Sequence, residues 1–414
     1  MIQRLSLRNF KNLRKAELHL GPFTLLVGTN ASGKSNLRDA FRFLHGIGRG
    51  YSLAEIIGEK YGEGGVLQWR GIRGGTREIA FYGTQAFAVG VKFTIPEKNR
   101  LRTAVYRILV EVSANGQPPQ IRSEKLDVDD DYVFESEPIS NDDLMRVRVR
   151  VRRPAQGRPP TIALLRQHTI LSQCADHNRV PASTREIIRS CLDALADMRF
   201  LDLSPDSMRQ ASFPGQTVLG DRGENLSSVL QAICEDPQRK QVLLSWLQEL
   251  TPMDATDFSF PADQIGRVLV SLVEGDKTQV TAYSASDGTL RFLGMLAALL
   301  GPEPARFYFF EELDNGIHPT RLHLLLQLIE QQTGRAYTQL VASTHSPQLL
   351  RLVSPETLEH TSLTYRLASQ PDAQIKRIVD LPEARRVIAQ QDLARLHESG
   401  WLEDAVAFMN EEAL

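Results

Sequence analysis

Four aromatic residues in a row, FYFF at Phe307–Phe310, set one end of the pattern. A strand tolerates an unbroken apolar run only when both of its faces are covered, so this run predicts a buried parallel strand. FTLLV at Phe23–Val27 reads as a second short buried strand, and VASTHSPQLL as a strand that turns at His345. After the second strand, GTNASGKS leads into 36–44, where Leu37, Ala40, Phe41 and Leu44 have helical spacing. Alternation replaces these runs elsewhere. IQRLSLRNFKNL at 2–13 predicts a half-buried strand, and EIAFYG, FAVGVKFTIP and LRTAVYRILVEVSA predict β-rich segments separated by turns. From 163 to 207 and from 225 to 250 the spacing is helical, punctuated by Pro181, Pro205, Pro214 and Pro237. The C-terminal stretch is again helical, and no heptad repeat is sustained anywhere, so a coiled-coil arm is not expected.

Composition narrows the class without naming a ligand. With 414 residues, 42% of them hydrophobic, the chain can bury a sizeable core. Its 48 Lys and Arg balance 50 Asp and Glu to a net charge of -2, so any charged partner must be read from local patches. Cys174, Cys191 and Cys234 form no paired set, which fits a reducing compartment and a cytoplasmic location. The best apolar run, FLGMLAALLG, is about half the length a spanning helix needs.

Two motifs carry chemistry together. Residues 28–35 fit G-x-x-x-x-G-K-[ST] between a strand and a helix, the context a phosphate-binding loop requires. Gly28 and Gly33 free backbone N–H groups to cradle phosphate, Lys34 reaches the β- and γ-phosphates, and the Ser35 hydroxyl ligates Mg²⁺. Glu311 and Glu312 follow the FYFF strand at once. Adjacent carboxylates there need a cation, and Mg²⁺ bound with ATP supplies one: Glu311 completes the metal site and Glu312 activates water as general base. Taken alone, the glutamate pair would read as an ordinary solvated strand end.

SASDGTLRFLGMLAALL offers a second anion site, a Ser-Asp-Gly turn opening a helix with Leu290, Leu293, Leu296 and Leu300 on its face. A plainer reading is a capped amphipathic helix. Placed about twenty residues before the glutamate pair, Ser286 and Gly288 resemble the signature motif of ABC-type ATPases, which caps the γ-phosphate held by the opposite protomer. His345 resembles the switch histidine of those enzymes. Asp314, in LDNGIHP, stands where they carry the D-loop, placed with Asn315 to cross a dimer interface. The opening strand and GTNASGKSN resemble the RecF/SMC/OLD branch rather than transporter subunits.

That resemblance implies an α/β ABC-ATPase head with a P-loop sheet, an antiparallel β subdomain and a helical insertion. The implied division is an N-terminal ATPase lobe at 1–160, the insertion at 161–260, a C-terminal ATPase lobe at 261–380 and a helical extension at 381–414. It also implies nucleotide contacts from Asn30 and Asn36, adenine-side or α-phosphate contacts from Lys11 and Asn12, and a homodimer closed around two ATP molecules. Two features depart from the pattern. Glu311 replaces the usual Walker B aspartate, as in standalone AAA-type ATPases of bacterial defence and toxin-like systems. For the Q-loop glutamine, Gln68 is the first candidate and Gln173 the second, with a surface role open for both. The expected function is an ATP-hydrolysing dimeric switch that controls a separately encoded effector, in phage defence. A RecF-like DNA-repair ATPase and a nucleotide-gated scaffold with negligible turnover are the alternatives.

Two other groupings need weighing. His168, Cys174, His177 and Cys191 lack the paired spacing of a structural zinc site, and no nuclease-like cluster is present, so a nuclease would be another chain. Strict alternation places Arg146, Arg148, Arg150 and Arg152 on one face of a strand. They would grip a nucleic-acid backbone or pair with a neighbouring strand carrying Asp127, Asp129, Asp131 and Glu135, and the second reading is preferred.

Overall fold

The structure is a computed structural model, and it describes all residues except 30–31, 98–99, 114–115, 140–143, 153–158, 251–253, 336–337, 368–369 and 412–414. Two sheets organise it. The first to consider is six-stranded, in the order Met198–Leu201, Phe307–Phe310, Gln339–Thr344, Phe23–Val27, Thr361–Arg366 and Ala373–Arg377. Its first five strands are mutually parallel and the last is antiparallel. In-register pairs such as Phe309 with Val341 and Ala342 with Leu25 align the strand ends. The loops after residues 27, 201, 310 and 344 therefore emerge at one carboxyl edge, where open α/β sheets bind their ligands.

FYFF serves both faces of that sheet. Phe307 and Phe309 join one core with the helix Lys34–Gly48, whose Phe41 ring lies 4.8 and 6.1 Å from theirs. Tyr308 and Phe310 join the other core with the helix Asp287–Leu300. The Tyr308 hydroxyl donates to the Ala298 carbonyl at 2.6 Å and accepts from the Ala305 N–H at 2.8 Å, so its polar tip is satisfied where it is buried. The P-loop helix exceeds the expected 36–44 at both ends, because its last turns pack on Ala182–Ala196.

The second sheet is antiparallel and has eight strands, built from the segments between Ile2 and Leu165. Strands Ala86–Glu97 and Arg100–Glu111 pair along their whole length. EIAFYG is not one of its strands. That segment begins at the last residue of the short helix Gly75–Glu78 and, among the described residues, makes an isolated bridge, Phe10 with Ala80. Its N–H and carbonyl groups pair instead with the 9–11 turn, Lys11 N–H to Ile79 and Phe81 N–H to Asn9, both at 2.8 Å.

Thr161–Leu165 completes this sheet, so the expected boundary at 160 falls before its last strand. Helices Ala182–Ala196, Leu226–Cys234 and Pro237–Leu250 form the insertion, interrupted by Met198–Leu201, which joins the parallel sheet. Among the described residues the longest helices have 15 residues, and no coiled coil is present. None of these helices is long and apolar enough to cross a membrane.

Candidate functional site

A cavity of about 710 Å³ opens at the carboxyl edge of the parallel sheet. Gly33, Lys34, Ser35 and Asn36 line it from the loop and first helical turn, and Glu311 and Glu312 from the end of FYFF. The glycines explain the loop's shape. Gly28 has φ 152, and a Cβ there would lie 2.2 Å from the Thr364 carbonyl oxygen; Gly33 has φ 106. Ser32 and Thr364 hydroxyls bond at 2.7 Å and tie the loop to the neighbouring strand. Lys34 is folded back, its ammonium donating to the Gly28 carbonyl and, at 2.9 Å, to that of Thr29. Burial lowers its pKa, while the Glu312 carboxylate acts in the opposite direction.

The two glutamates have different partners. Glu311 Oε2 accepts from Arg38 at 2.7 Å, so a guanidinium one helical turn beyond Lys34 compensates this carboxylate, a cation the motif reading did not anticipate. Arg38 Nε is buried and has no acceptor among the described residues. Glu312 has φ 49, a left-handed conformation uncommon outside glycine. It is held there by its N–H to Ser343 Oγ at 3.1 Å and by Asn315 Nδ2 donating to its Oε2 at 3.1 Å. Strained backbone at a carboxylate facing a cavity is the kind of feature functional sites retain.

Other expected residues are distributed unevenly. Asn36 donates to Asn12 Oδ1 at 2.5 Å, and both line the cavity. Lys11 does not line it, because the buried Asp39 carboxylate holds its ammonium at 2.7 Å. Asn30 lies outside the described residues. Gln68 is exposed on the short strand Leu67–Trp69, away from the cavity lining, and Gln173 bonds backbone groups of Leu165 and His168. His345 is exposed and outside the lining, where its neighbour Ser343 stands instead. Asp314 accepts from Thr344 Oγ1 at 2.6 Å within its own chain.

Ser286 caps the helix Asp287–Leu300, its hydroxyl accepting from the Thr289 N–H at 3.1 Å, and it does not reach this chain's cavity. Gly288 is packed so tightly that an added Cβ would lie 2.2 Å from the Gly316 carbonyl oxygen.

Besides Ser343, the lining residues that were missed include Arg73, Asp202, Arg291 and Arg366. Two carried a signal. Asp202 follows the strand MRFL as Glu311 follows FYFF, and Arg291 is the single basic residue in a mostly apolar helix. Arg73 and Arg366 stand in no comparable pattern.

The residues fit ATP with Mg²⁺. The cradle admits no side chain at Gly28, the cavity is of ligand size, and Ser35 with Glu311 offers the hard oxygen donors that Mg²⁺ requires. A larger groove of about 1130 Å³ over the antiparallel sheet contains none of the P-loop residues, and its Arg8, Lys15 and Lys125 alternate with Glu17 and Glu135. On the arginine strand, Arg150 pairs with Glu135 at 3.1 Å and Arg152 with Asp131 at 2.9 Å, as expected of a neutralising neighbour. Asp127 and Asp129 pair elsewhere, with Arg107 at 3.2 Å and Arg102 at 2.7 Å.

Fold and site together define a P-loop ATPase of AAA type with the fold of an SMC head. Residues 23–351, well over half of the chain, match the family described as AAA domain, putative AbiEii toxin, Type IV TA system, and the protein belongs to that family. No curated protein matches it in sequence. Among solved structures it is similar to an SMC head bound to the C-winged helix domain of ScpA, at 13% identity and TM-score 0.51, covering 91% of this chain and 97% of that one. An SMC head domain from Thermotoga maritima has 12% identity and TM-score 0.42, over 91% of this chain and 98% of its own. One from Pyrococcus furiosus, with an extended coiled coil and bound to the C-terminal domain of ScpA, has 11% and 0.47, over 94% and 98%. The first supports an SMC-head fold.

Proposed function

We propose that this protein hydrolyses ATP as a cytoplasmic homodimer and uses the cycle to switch a separately encoded effector, in defence against phage. The observation that carries the reading is the convergence of Lys34, Ser35, Glu311 and Glu312 on one cavity. Lys34 would leave the loop carbonyls for the β- and γ-phosphate oxygens. Ser35 and Glu311 would hold Mg²⁺, which when bound neutralises charge on the phosphates. Glu312 Oε1, with no partner among the described residues, would take a proton from the attacking water as the bond between the γ-phosphorus and its bridging oxygen breaks, leaving ADP and phosphate. Ser286 and Gly288 would cap the partner's nucleotide, Asp314 would lie at the interface, and His345 would approach the γ-phosphate once the dimer closes. The toxin–antitoxin description of the family supports a paired effector. The DNA-gripping alternative is weakened by the ion pairs of Arg150 and Arg152.

The direct test is Glu312→Gln. ATP binding should persist while phosphate release falls by about 100-fold or more, the usual contribution of a general base. The ATP-bound dimer should live longer, read as mass in solution. Normal turnover in this variant would remove Glu312 from the role.

A further inference from the structure

The helix Asp287–Leu300 buries Leu290, Phe292, Leu293, Met295 and Leu296, yet its single basic residue, Arg291, lines the cavity beside Lys34, Glu311 and Glu312. The other cations of that lining have protein acceptors. Lys34 has the loop carbonyls, Arg73 has the Ser35 carbonyl at 2.6 Å, and Arg366 has the Pro371 carbonyl at 3.0 Å. Arg291 has neither a hydrogen-bond nor an ion-pair partner among the described residues. A guanidinium presents five N–H donors in a planar fork, and one facing a phosphate-sized cavity without an acceptor is matched to anionic oxygens.

Its position is built by the backbone. Gly316, at φ 76, lies against the Arg291 side chain, with Cδ 3.4 Å from where a Cβ would stand, and Gly288 closes on the Gly316 carbonyl. The helix and the turn carrying Glu312 and Asn315 are thus packed as one unit. Arg291 enters the cavity from the side of the carboxylates.

We propose that Arg291 is a phosphate ligand in cis, binding the terminal phosphate of the nucleotide held by Lys34 of its own chain. One helix would then read both nucleotides of the dimer: its N-terminal Ser286 that of the partner, and Arg291 its own. The inference rests on the ATP site proposed above.

Binding of ADP and of a non-hydrolysable ATP analogue, each with Mg²⁺, is measured calorimetrically on the full chain. Ser286→Arg, verified as monomeric by light scattering, provides a background without composite sites. In that background Arg291→Gln should weaken the analogue about tenfold, in keeping with a charge-assisted hydrogen bond, and change ADP less than twofold. Arg291→Lys should recover part of the loss. Equal losses for the two nucleotides, or a loss seen only in the dimer, would overturn the assignment. Analogue binding that is normal in wild type, absent in Lys34→Ala and unchanged in Arg291→Gln would overturn it while leaving the ATP site standing. No binding by wild type would overturn both.

Discussion

In the antiparallel sheet, charges find their opposites on the next strand. Arg102 sits between Glu97 at 3.1 Å and Asp129 at 2.7 Å, and Arg150 faces Glu135. At the carboxyl edge of the parallel sheet, Lys34 donates to its own loop, Glu312 is held in a left-handed conformation, and Arg291 and the Asp202 carboxylate have no partner among the described residues. The difference follows from geometry. Cross-strand neighbours stand at fixed spacing and neutralise each other locally, whereas the strands of a parallel sheet end in separate loops that share only the space between them. Charge is structural in the first region and available to a ligand in the second.

The largest expected effect tests that availability across a dimer. Lys34→Ala and Ser286→Arg should each lose turnover by about 100-fold or more, yet their mixture should regain activity, since each heterodimer keeps one intact site, with Lys34 from one chain and Ser286 from the other. No recovery, with heterodimers demonstrated by mass, would mean that each chain hydrolyses alone and that the signature-like turn does not face a partner.

A smaller effect distinguishes the buried carboxylate of the scaffold from those of the site. Glu124 accepts from Tyr106 at 3.0 Å and from the N–H groups of Ile170 at 2.7 Å and Leu171 at 2.8 Å. Burial nevertheless pushes its carboxyl from 4.5 up to about 7, against those donors. The folded chain then holds a proton that the unfolded chain releases, so this contribution is complete below about 4.5 and is lost as the pH rises to about 7. Its full size is roughly 3 kcal/mol. Urea melts at stepped pH should show the decline in wild type and a flatter curve in Glu124→Gln. Superimposable curves would show that the three donors outweigh burial.

The smallest effect concerns the arginine strand. Changing Arg146, Arg148, Arg150 and Arg152 to Gln should leave the salt dependence of DNA binding nearly unaltered and lower stability by about 0.2 to 1 kcal/mol for each exposed pair lost. A drop of about 3 to 4 in the log-log salt slope would instead place phosphates on that face and make the two regions alike.

Local pattern determined a great deal here. The FYFF run could be stable only with both faces covered, the glycines of 28–35 only as a tight loop that admits no side chain at Gly28, and the alternation from Arg146 only as a strand with its valines inward. Each of these is a property of neighbours in sequence, set by side-chain period and backbone freedom. The partners of the charges were another matter. That Arg38 rather than a metal alone faces Glu311, that Asp39 withholds Lys11 from the cavity, and that Gln68 and His345 stand outside its lining depend on segments tens to hundreds of residues apart. Arg291 illustrates the limit most clearly: its helix was legible as a capped apolar face, but the direction of its one cation follows from Gly288 closing on Gly316. Periodicity specifies which face of an element is buried, and only the packing of distant elements decides what each exposed charge meets.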